Sequence, residues 1–237
     1  GGGDPSVGVL SQQFHEELLA AAGIGTLVRF TGRPETGPMT DPFLVMAGER
    51  LPDVAAAGRG GENVLTEQVL ANIAATSASA SARLLHDEDW SNWLVGGDSD
   101  YGHTRAKYAI GAGTAAIVER ALFEMPEGHT WAQQDFDRLV ADHWHDDIPD
   151  ELRQPLAAAT GNFLPGMTDR YHDDAADITG FFAQIAKDET ALATLEVNLA
   201  GYAHLELGEG VTEIIGADYD QLDESARINT EIRDVAT

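Results

Sequence analysis

The stretch Asn63–Leu84, NVLTEQVLANIAATSASASARL, decides the fold. Leu65, Val69, Ile73, Thr76, Ala80 and Leu84 recur three or four positions apart, so on a helix they fall on one stripe. Asn63 is a suitable cap for the start of that helix, because its short side chain can accept from the free N–H groups of the first turn. The second half, ATSASASA, has almost no bulk. A helix with that face either approaches a neighbour closely or frays into a loop.

Helical periodicity extends C-terminally from this stretch. Residues 104–124 carry Ile110, Ile117, Val118, Ala121 and Leu122 on one side, with Gly111 and Gly113 near the start. Thr130 and Gln133 have the spacing of a capping box, opening a helix with Phe136, Leu139 and Val140. Pro149 suits a first helical turn, Leu152 and Leu156 supply that helix's face, and Gly161 is expected to end it. From Asp173 to about Leu207 the pattern is helical, with a break expected near Lys187-Asp188. A last helix is expected at 220–235, carrying Ile228, Ile232 and Val235.

N-terminally the pattern changes. Leu10, Phe14 and Leu18 predict a helix over 9–22 with Gly23 as its stop. Residues 26–30 (TLVRF) and 43–46 (FLVM) are short β-like runs. Gly32, Pro34, Gly37, Pro38 and Pro42 lie between them, so a small hairpin with a long loop and an extended arm are both open readings. The expectation is a mainly α protein, one helical domain of about seven or eight helices. Residues 1–62 form its irregular N-terminal segment, with one helix and two short strands, and 63–237 its helical domain.

The charge is one-sided: 40 Asp and Glu against 14 Lys and Arg, a net −26 over 237 residues. Lys107 and Lys187 are the only lysines, and the other basic residues are arginine. Large single-sign fields repel themselves. That repulsion is tolerable where the Debye length falls to about 3 Å, as at 1 M salt. Abundant carboxylates with almost no lysine resemble the proteins of salt-in halophiles, haloarchaea above all. The resemblance implies a cytoplasm of multimolar salt, or a virion or exported assembly in hypersaline medium. A high-GC source also favours arginine and alanine and is the competing explanation. Disorder is not expected, because 43% of residues are hydrophobic and their placement is periodic.

The same charge disfavours direct nucleic-acid binding, which needs clustered cations, and docking to anionic membranes. The absence of cysteine excludes disulfides, thiolate metal sites and Cys nucleophiles. No apolar run reaches the roughly 18 residues of a membrane span.

The most suggestive motif is a duplicated hexapeptide. His145-Asp146-Asp147-Ile148-Pro149-Asp150 and His172-Asp173-Asp174-Ala175-Ala176-Asp177 both read HDDxxD, 27 positions apart. Imidazole with carboxylate suits Mg²⁺, Mn²⁺, Zn²⁺ or iron, and positions three apart on a helix share a face. His145, Asp146, Asp150, His172, Asp173 and Asp177 are therefore the candidate ligands of one divalent metal. The DDxxD core resembles the diphosphate-binding motifs of isoprenoid synthases, whose two copies lie on well-separated helices, unlike these. Asp is frequent throughout, and both copies sit at expected helix starts, where aspartate is a favourable cap. Capping outweighs the metal site.

Leu84-Leu85-His86-Asp87 resembles the core of HD-type phosphohydrolases, which implies an upstream metal-binding His; the only earlier one is His15, outside the usual spacing. Pro126-Glu127-Gly128-His129 is similar to a segment of acid phosphatases and vanadium haloperoxidases, with Glu in place of Ser and without the accompanying cations. Gly58-Arg59-Gly60-Gly61 precedes a helix but follows no clear strand, so it reads as a flexible helix entry. Neither a GxSxG elbow nor an ExxH pair occurs. Trp90, Trp93, Trp131 and Trp144 lie near helix ends or loops, where they wedge between helices or meet a partner.

No catalytic residue follows from these motifs. The expected function is a non-catalytic, salt-adapted helical subunit of a larger assembly, with protein partners or self-assembly. The alternative is a divalent-metal hydrolase or phosphate-handling enzyme using the two HDDxxD segments.

Overall fold

The computed structural model describes residues 17, 21–33, 40–56, 62–95, 109–124, 131–143, 148–170 and 175–201. Ten helices follow one another there: α1 (Ile24–Thr31), α2 (Thr40–Glu49), α3 (Leu51–Ala56), α4 (Glu62–Thr76), α5 (Ala78–His86), α6 (Glu88–Val95), α7 (Ala112–Phe123), α8 (Trp131–His143), α9 (Asp150–Arg170) and α10 (Ala175–Ile185). Residues 189–201 are again helical, and no strand occurs among the described residues. The protein is mainly α, with more helices than the seven or eight expected.

The two β-like runs are helical. TLVRF lies within α1, where Ile24, Leu27 and Thr31 are buried on a helical spacing. FLVM lies within α2, which buries Leu44, Ala47 and Gly48. Short apolar runs do not separate strand from helix by pattern alone, and here burial at three- and four-residue spacing overrides the β-branched and aromatic content. In place of a hairpin or arm, α1 packs on α4 and α2 on α5. Asn72 of α4 fixes the end of α1, donating from Nδ2 to Val28 O at 3.3 Å and to Thr31 Oγ1 at 3.2 Å.

The deciding stretch is two helices rather than one. α4 stops at Thr76 and Ser77 turns to extended backbone, φ −147° and ψ 114°. Its Oγ accepts from Ala80 N–H at 3.0 Å, the bond of a helix N-cap, and donates to Asp41 Oδ1 of α2 at 2.6 Å. α5 then closes on Asp87, whose Oδ1 accepts from Trp90 N–H at 2.9 Å and so caps α6. Trp90 and Trp93 are buried, and the Trp90 indole donates to Gly48 O of α2 at 2.8 Å. A Cβ at Gly48 would lie 2.5 Å from Leu84 Cδ1, so glycine is what lets α2 approach α5.

α7 is the hub, packed against α4, α5, α8 and α9. The side expected from its periodicity, Ile110, Ile117, Val118, Ala121 and Leu122, is buried. Its helical bounds are shorter than the expected 104–124: Gly111 is the N-cap, and 104–108 lie outside the described residues. Gly111 has no side chain to offer the free N–H groups, and Glu67 of α4 does so instead. Glu67 Oε2 accepts from Thr114 N–H at 2.9 Å and Oε1 from Thr114 Oγ1 at 2.8 Å. A carboxylate at this end also complements the helix dipole. Asn63, expected only as a cap, donates to Ala109 O at 2.7 Å.

Gly161 does not end α9, which runs on to Arg170. A Cβ there would lie 2.8 Å from Asn198 Oδ1, while Asn198 Nδ2 donates to Ala157 O at 2.9 Å. The glycine makes room for a neighbouring segment. The break expected near Lys187-Asp188 is present, and Asp188 Oδ1 accepts from Ala191 N–H at 2.7 Å to start the next helix. Of the expected 9–22 helix only Glu17, Ala21 and Ala22 are described, while Thr130 and the 220–235 helix lie outside the described residues.

Candidate functional site

The six candidate metal ligands are only partly placed. His145, Asp146, His172 and Asp173 lie outside the described residues, and Asp177 falls in the first turn of α10. Asp150 opens α9, is exposed, and pairs with Arg153 one turn on. Acidic residues in a first turn with a cation at i+3 are what helix electrostatics favour without any metal. Among the described residues no group of three or more His, Asp and Glu side chains is placed to hold a metal ion.

The polar cluster that the structure does assemble joins α5 to α8. His86 is the last residue of α5, and its Nδ1 lies 2.9 Å from Asp135 Oδ1. The Asp135 side chain is 3% exposed and the imidazole 31%. Trp131, the first residue of α8, stacks on the imidazole with ring centroids 4.3 Å apart and planes inclined by 7°. Arg138, one turn after Asp135, donates to Asp135 Oδ1 at 3.1 Å and reaches the carbonyls of Leu85 and His86. Those carbonyls are among the last of α5, which have no partner inside their own helix, so the guanidinium caps α5 while neutralising Asp135.

Burial pushes the Asp135 carboxyl above its ordinary value, and the His86 hydrogen bond and the Arg138 charge pull the other way. With Asp135 ionised, Nδ1 is the donor, and a neutral ring then carries its lone pair on Nε2. One face of the ring is covered by Trp131 and one nitrogen is held by a carboxylate. Such a fixed imidazole can hand a proton across its open edge, and it equally serves to fasten two helices.

Within Leu84-Leu85-His86-Asp87, Leu84 and Leu85 are core residues and Asp87 is spent as the cap of α6. Close to that cap, Glu49 has its carboxyl pushed up by partial burial and by the Asp87 charge. The sequence offered one trace of the cluster, the Asp135/Arg138 pair at i and i+3; their partner His86 is 49 positions from Asp135. Trp144 and the segments 58–61 and 126–129 lie outside the described residues.

A second surface feature lies on the outer side of α4 and α7. Asn63 meets Ala109, and Glu67 meets Thr114, so the two helices run parallel. A groove of about 320 Å³ opens between them, floored by Ala71, Ala74, Ala75 and Ala116 and rimmed by Glu119, Arg120, Phe123 and Glu124. Phe123 is 36% exposed at one end. At the other end of α4, Val64 is 72% and Leu65 36% exposed. No helix among the described residues is long and apolar enough to cross a membrane. No family model, curated protein or solved structure matches the chain.

Proposed function

We propose that the chain is a non-catalytic, salt-adapted helical subunit of a larger assembly. The observation that carries this reading is apolar surface left in water on α4 and α7: Val64 and Leu65 at the start of α4, and Phe123 beside an alanine-lined groove at the far end of the two helices. Large side chains left in water lose the roughly 25 cal/mol per Å² that burial returns, and contiguous patches of them mark contact surfaces more than scattered ones do. Salt adaptation is supported by the net −26 and by a basic complement that is nearly all arginine.

Sedimentation of the full chain in multimolar KCl, alone and with extract of its source, tests the assembly. A mass above the monomer, or a stoichiometric partner, is expected. A strict monomer that retains no partner overturns the reading. The metal-enzyme alternative is decided by elemental analysis at the same salt. No stoichiometric divalent metal is expected, and one bound metal per chain that is lost in His145→Ala/His172→Ala would establish the alternative.

A further inference from the structure

We draw no further inference here: the strongest candidate, the alanine-floored groove between α4 and α7, is rimmed by charges of both signs in Glu119, Arg120 and Glu124, and nothing in the structure shows what covers it.

Discussion

Asp135 is held in the interior by two bonds, to His86 and Arg138, that are stronger when it is charged, while its burial favours the neutral form. The balance lies with burial, and the carboxyl stands above its ordinary 3.8. Between 3.8 and the folded value, the folded chain keeps a proton that the unfolded chain releases, so falling pH stabilises the fold in that window and rising pH removes the gain. Asp135→Asn keeps the shape and an acceptor for His86 and Arg138 but cannot titrate. Thermal unfolding at fixed high KCl is expected to show the wild type losing ground to Asp135→Asn as pH rises through that window. A difference between the two that does not change with pH, or changes the other way, contradicts the assignment. Glu49 has the same sign for a partly different reason, the nearby charge of Asp87 adding to burial.

At the scale of helices, the tightest seam is α4 against α7. A Cβ at Gly113 would stand 2.0 Å from the backbone oxygen of Glu67, and neither helix can yield there without moving as a whole. Gly113→Ala is expected to cost at least the upper end of the roughly 1–3 kcal/mol typical of overpacked cores, read as a fall in the denaturant midpoint. Gly25 is the contrast. It lies in α1 with nothing within 4 Å of an added Cβ, so Gly25→Ala is expected to stabilise by about 0.5–1 kcal/mol. Equal effects at the two sites would show that the α4–α7 approach is looser than this.

The same helices show what a sequence displays and what it withholds. The buried side of α7 was visible because Ile117, Val118, Ala121 and Leu122 sit on one helical face. The break at Ser77 was not, because a serine among alanines and serines is a cap only when Asp41 and Ala80 take up its hydroxyl. TLVRF misled because its residue types favour strands while its burial follows a helix. Gly161 misled because a glycine that admits Asn198 is written with the same letter as one that ends a helix. The His86 cluster joins residues 49 positions apart through the meeting of two helices, and only packing creates it.

For the molecule as a whole, the net −26 governs behaviour in solution. Screening makes that charge tolerable, so the protein is expected to lose helical structure on dialysis below about 0.5 M salt and to melt higher in multimolar KCl. A melting temperature unchanged between low salt and multimolar KCl would refute salt adaptation. The charge also sets the background for every carboxylate motif: Asp150 in its HDDxxD context is an exposed helix-start acid paired with Arg153.

The Glu67 cap has a kinetic meaning. α7 begins at a glycine and takes its N-terminal partner from another helix, so its first turn is complete only while α4 is docked. The amide proton of Thr114 is therefore shielded by a tertiary bond and not by fraying-prone local structure. Its exchange with deuterated solvent clocks the parting of the two helices, and in this fold that makes one backbone position a gauge of how often the hub opens.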